Sequence, residues 1–282
     1  MQFTSLRHFI FYTSSFFQIA AKPDEPKTEK IAVCLEGPAS RFEAANLKNI
    51  RENLIDVLQQ DAKSVSLFVI APRQINRGFS LSKQEALQKQ SEIELQKLLL
   101  DAFGDFASLS SSVDQTDEEL LKTIENDFPN YPGEFLRDLF SDFFIHGEYS
   151  AMITRYLLQK SLCYYEILKS EQKSNIFYDR IVFTRPDLFW FSDHPPLSLM
   201  ENDRIWIPLG QDYGGYNDRH AVIPRSYAER YLLRGTHLFE GKLSQFLLND
   251  NNKTLNHYCD TTLVNHSRPN MLFCDPLVML MD

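Results

Sequence analysis

The residues best suited to chemistry follow the apolar core of Tyr178-Asp179-Arg180-Ile181-Val182-Phe183-Thr184-Arg185-Pro186-Asp187-Leu188-Phe189-Trp190. The run through Phe183 predicts a buried strand, and Arg185 and Asp187 stand where it emerges. Two residues apart on an extended chain, their side chains point the same way. Arg presents a forked donor that matches phosphate, while Asp holds a divalent cation or a ribose hydroxyl. The plainer reading of Arg185-Pro186-Asp187 is an ion pair closing a strand end.

A second segment, Gly210-Gln211-Asp212-Tyr213-Gly214-Gly215-Tyr216-Asn217-Asp218-Arg219-His220-Ala221, gathers titratable groups around two glycines. Gly214 and Gly215 permit close backbone approach to a ligand. Asp212, Asp218, Arg219 and His220 supply charge and proton-transfer groups beside them. The spacing is neither a phosphate-binding P-loop nor a dinucleotide fingerprint, and it also suits a turn between strands. A third segment, Glu36-Gly37-Pro38-Ala39-Ser40-Arg41-Phe42, closes the first predicted strand, putting Gly37 and Arg41 where a base or phosphate would rest.

Positioning these groups requires a scaffold, and the predicted elements supply one. Lys30–Leu35 and Ser66–Ala71 read as strands flanking a helix from Ala44 to Gln60, whose Leu47, Ile50, Leu54 and Leu58 recur at helical spacing. This opening predicts a parallel α/β sheet, at whose carboxyl edge ligands bind. Residues 82–127 are polar and helical in pattern, broken by a serine run at Ser108–Ser112. Together with a Phe- and Pro-rich stretch at 129–147 they form an insertion over 82–147. A long helix from Glu148 to about Lys173 places Met152, Tyr156, Leu157, Cys163, Tyr164 and Ile167 toward the core. Beyond the Tyr178 strand come a short strand at Arg204–Pro208, helices at Ser226–Leu233 and 239–250, and apolar arms at Met271–Phe273 and Leu277–Leu280.

Composition narrows the function classes. The chain has 282 residues, 43% hydrophobic and 24% charged, with net charge −9. Acidity argues against a nucleic-acid surface, which needs a basic footprint, but leaves room for a local basic pocket. The sequence contains no G-x-S-x-G elbow and no H-E-x-x-H pair, so serine-hydrolase and zinc-hydrolase chemistry lack their motifs. Its four cysteines, Cys34, Cys163, Cys259 and Cys274, are too scattered for a structural zinc site. Cys34 and Cys163 read as buried thiols, and Cys259–Cys274 is a conceivable bridge in an exported protein.

Residues 1–29 are a leader and linker. Phe9 to Ala21 follow Arg7 and His8 and end in small residues, resembling a secretory signal. That reading implies a secretory, Golgi-like or exported protein; a leader on a cytoplasmic protein is the other. The apolar stretch is shorter than the roughly 17–25 residues of a firm membrane span. Two N-glycosylation patterns, Asn252-Lys253-Thr254 and Asn265-His266-Ser267, count only in a eukaryotic secretory route.

Taken together, the three segments resemble a family of GT-A-type glycosyltransferase-like proteins. The first strand with Gly37 and Arg41 is similar to that family's opening. Tyr178, Asp179, Ile181, Val182, Arg185 and Asp187 are similar to its "Y-D-x-[IV]-[IV]-x-x-R-x-D" strand, and Asp212 through His220 to a "D-Y-G-G-x-N-D-R-H" segment of related plant and algal domains. The resemblance spans residues 30–240. It implies a single GT-A-like (Rossmann-like) α/β domain over 30–282, with a mostly parallel central sheet flanked by helices. It further implies a nucleotide-diphosphate-sugar donor bound by Gly37, Arg41, Arg185, Asp187, Gly214 and Gly215, and a glycan or other hydroxyl acceptor. Asp218 is the implied acceptor-side base, with Asp212 its competitor, and Tyr213, Arg219 and His220 contact substrate. Arg185 stands where many such enzymes carry the first carboxylate of an Asp-x-Asp metal motif. Asp187 then binds Mn²⁺ or Mg²⁺, or Arg185 neutralises the diphosphate itself. The rival readings are a binding protein of the same fold without turnover and an interaction scaffold built on the 129–147 aromatics.

Overall fold

The computed structural model describes residues 28–71, 93–104, 107–110, 148–208, 219–240 and 242. Their centre is a five-stranded sheet: β1 (Lys30–Glu36), β2 (Ser64–Ile70), β3 (Ala107–Ser110), β4 (Arg180–Thr184) and β5 (His220–Pro224), in the order β3-β2-β1-β4-β5. The pairs β1–β2, β1–β4 and β2–β3 are parallel, and β5 closes the edge antiparallel to β4. Central strands of a sheet covered on both faces must be apolar on both faces. Residues Ile31 through Leu35 and Ile181 through Phe183 accordingly have no exposed surface.

Strand alternation sorts those residues between two cores. Ile31, Val33, Leu35, Val182 and Val222 face one side, where they join Leu47, Ile50, Leu54 and Leu58. These come from α1 (Ala44–Ile50), a π-helical turn (Arg51–Ile55) and α2 (Asp56–Asp61). Leu95, Leu99 and Phe103 of α3 (93–103) extend the same core. Ala32, Cys34, Ile181, Phe183, Ala221 and Ile223 face the other side. There they meet Cys163, Tyr164 and Ile167 of α4 (Glu148–Ser174), and Tyr231 and Leu232 of α5 (Ala228–Leu232). A last short helix, α6 (Arg234–Phe239), follows. The predicted α/β class with a mostly parallel, helix-flanked sheet is therefore what the chain adopts.

Four expectations need correction. The serine run inside the expected helical insertion is β3, because Ala107–Ser110 finds a free edge on β2. Residues His220–Pro224, read only for their motif, form β5, whose Ala221, Val222 and Ile223 are buried between the cores. The strand expected at Arg204–Pro208 reduces to one bridge, Trp206 with Val222. Cys34 and Cys163 are not free thiols but are joined across the sheet–helix interface, with Cα atoms 6.2 Å apart. The leader, the 129–147 stretch, nearly all of the 239–250 helix, the C-terminal arms, Cys259 and Cys274 lie outside the described residues.

Buried charge fixes the end of α4 against the strands. Glu171, 1% exposed, accepts the backbone N–H of Tyr178 and a two-point contact from Arg225. That contact raises the Arg225 pKa, the hydrogen bond being the largest cause. At the same end, the Arg180 guanidinium bonds Glu29 and the Met200 carbonyl. A buried carboxylate needs its partners, so these contacts set where β4 begins.

Candidate functional site

The strand order reverses at one point. Connections from β1 run outward through β2 to β3, then the chain crosses by α4 to β4 on the other side of β1. In open sheets of this kind a crevice opens beyond the carboxyl ends of the two strands flanking the reversal. Here those ends are Gly37 after β1 and Arg185-Pro186-Asp187 after β4. Gly37 donates its N–H to the Ile70 carbonyl. A Cβ on it would stand 2.7 Å from Pro186 Cδ and 2.8 Å from Cγ. Only glycine lets the two loops approach this closely.

That approach brings Arg41 to Asp187. A 3-10 turn (Ala39–Arg41) leads out of Pro38, with the Arg41 N–H donated to the Pro38 carbonyl. Arg41 Nη1 lies 2.7 Å from Asp187 Oδ2. From the other side Arg185 grips the same carboxylate through Nε (2.9 Å) and Nη2 (2.6 Å). The expected ion pair is thus a triad of two cations and one anion. Arg41 is 44% exposed and Asp187 31%, so the cluster faces solvent with one positive charge in excess. It has forked donors to spare for an anion. Both Asp187 oxygens already serve guanidiniums, and no group of three His, Cys, Asp or Glu side chains suited to a metal occurs among the described residues.

The described end of the second motif, Arg219 and His220, adjoins the first. The Arg185 N–H is donated to the Arg219 carbonyl at 3.2 Å, and Thr184 pairs with His220 in the β4–β5 register. Arg219 is partly exposed at the carboxyl edge. His220 turns into the α1-side core, only 6% exposed, which differs from the expected substrate contact. Asp212, Tyr213, Gly214, Gly215 and Asp218 lie outside the described residues.

Behind Asp187 the loop is anchored by residues that sequence reasoning passed over. Asn49 of α1 donates to the Trp190 carbonyl (2.9 Å) and accepts the Trp190 N–H (2.6 Å), a reciprocal clamp. Trp190 packs edge-on against His220, with centroids 4.9 Å apart, and lies 5.7 Å from His194. The two imidazoles are 5.4 Å apart, and the His194 N–H of the backbone reaches the Asn53 carbonyl. Burial lowers the His194 pKa to about 4 and that of His220 to about 3, so both rings are neutral near pH 7. Phe189 and Phe191 point outward as an edge-to-face pair, Phe191 being 96% exposed. A polar Asn on an otherwise amphipathic helix was the one sequence signal for this clamp.

A family described as a domain of unknown function (DUF7796) matches residues 153–274. The matched stretch takes in β4, the Arg185–Asp187 loop and β5, and leaves out Gly37 and Arg41. No curated protein matches the chain.

Proposed function

We propose that this chain is a GT-A-like glycosyltransferase domain that moves a sugar from a nucleotide-diphosphate-sugar to a hydroxyl acceptor. One observation carries the reading: Arg41 and Arg185 converge on Asp187 at the carboxyl ends of the strands flanking the sheet's reversal. A diphosphate is the anion that two adjacent guanidiniums at such a crevice suit best. The arginines would hold its charge as the sugar–phosphate bond breaks, when that charge grows. The acceptor oxygen takes the sugar, its proton passes to a base, and the nucleoside diphosphate leaves. Asp218 is the proposed base and Asp212 the alternative. Gly214, Gly215 and Tyr213 precede in sequence Arg219, whose carbonyl accepts the Arg185 N–H. The Cys34–Cys163 bond supports an oxidising compartment, in keeping with a secretory leader.

A binding protein of the same fold without turnover is the second reading. It is favoured by Asp187 being engaged by two arginines, leaving a metal such as Mn²⁺ to displace one of them. The test is thermal unfolding against nucleoside diphosphates and nucleotide-sugars, each with and without Mn²⁺, followed by a transfer assay. A ligand at a hundredfold excess over its Kd should add about 2.7 kcal/mol of stability. A shift with product formation supports the enzyme, and a shift without product supports the binding protein. No shift with any nucleotide would overturn both. Full transfer activity in Asp187→Ala would remove Asp187 from the site.

A further inference from the structure

Among the described residues, five buried polar atoms share one place: Thr184 Oγ1, Trp190 Nε1, His194 Nδ1 and Nε2, and His220 Nδ1. A buried polar cluster of this kind stays buried only while it stays uncharged. This one lies directly behind the arginine–aspartate triad. Trp190 is in the loop that carries Arg185 and Asp187, His220 is paired with Thr184 at the end of β4, and His194 bonds to the π-helical turn after α1. We infer that His194 and His220 are positioning residues: their neutral rings, packed on Trp190, hold the Arg185–Asp187 loop closed against Gly37 and Arg41. The inference rests on the reading of that triad as an anion site.

The physics is linkage between ring charge and loop closure. A closed loop keeps both imidazoles out of water, and a protonated ring there would be an uncompensated buried charge. Desolvation opposes protonation of His194 and outweighs the hydrogen bond with the Pro195 backbone and the charge of Asp61 on α2, which favour it. For His220 the acting groups are burial and His194, and both oppose protonation. Neighbours that face the pair, Asn49 of α1, Asn53 of the π-helical turn and Thr184 of β4, carry no charge. The charged Arg185, Asp187 and Arg219 belong to the adjoining edge, and Asp193 precedes His194. An opened loop would return each ring to its ordinary affinity for protons. At pH 5 that favours the open state by about 30-fold per histidine.

The probe is inorganic pyrophosphate, titrated into the intact protein between pH 7 and pH 5, wild type against His220→Phe. Phenylalanine keeps the packing on Trp190 and removes the titration. The wild-type affinity should fall at least tenfold more than that of the variant across this range. Parallel profiles overturn the inference while leaving the anion site intact. Failure of the wild type to bind pyrophosphate at pH 7 overturns the anion site instead. If His220→Phe does not fold, Trp206→Phe isolates the Trp190 fluorescence, which a protonated imidazole quenches. Saturating pyrophosphate should move the acid quenching midpoint lower by at least half a pH unit, and an unmoved midpoint overturns the inference.

Discussion

Gly37 and Pro186 meet so closely that a single methyl group tests the geometry. In Gly37→Ala the new Cβ would sit within 3 Å of the proline ring, so the Arg185–Asp187 loop must move outward. Such overpacking costs about 1–3 kcal/mol. Denaturant unfolding should show that loss, with weaker nucleoside diphosphate binding alongside; wild-type values for both would contradict the contact. Arg185 makes a second test, because its fork spans both oxygens of Asp187. Arg185→Lys preserves charge but not the fork, and should weaken diphosphate binding about tenfold, or roughly 1.4 kcal/mol. Calorimetric titration reads this directly. These residues were legible because Arg, Pro, Asp and Gly each have few reasons to close a strand. Asn49 and Trp190 were not, since a reciprocal clamp between residues 141 apart leaves no local pattern.

Elements place the site through their ends more than through their lengths. β4 is set at its start by Glu171 of α4, which holds both Tyr178 and Arg225. Glu171→Ala leaves Arg225 without its partner and an amide unsatisfied in the interior, a loss of about 3 kcal/mol. Urea unfolding should show it, and a change below about 0.5 kcal/mol would mean that α4 is held by packing alone. The helical and strand periodicities of α1, α2, β1, β2 and β4 were readable because each buries one stripe or a whole strand. β3 escaped, since Ala107-Ser108-Leu109-Ser110 is too short and polar to announce a strand. It is one because β2 offers it an edge.

Across the whole molecule, acidity should act through the two buried histidines. Their folded-state pKa values, about 4 and about 3, lie below the ordinary value of 6.5. Protonation therefore favours the unfolded chain first. Their full stability is present above about pH 6.5 and is lost progressively as pH falls toward those folded-state values. Between pH 7 and pH 5 each histidine should cost about 2 kcal/mol. Denaturant unfolding at the two pH values should show a drop that is smaller by about that amount in His220→Phe. An equal drop in both proteins would place His220 in water.

The sequence by itself determined the α/β class of fold, the principal strands and the charged residues that stand at the ends of β1 and β4. Burial demands continuous apolar strands and one-sided helices, and strand ends are where charge can survive. Only the tertiary structure decided that Arg41 and Arg185 share one carboxylate, that His220 faces the core, and that Cys34 meets Cys163. Each of these depends on which strands become neighbours. That choice is made by the packing of both sheet faces at once, and it joins Arg41 to Asp187 across 146 residues of chain.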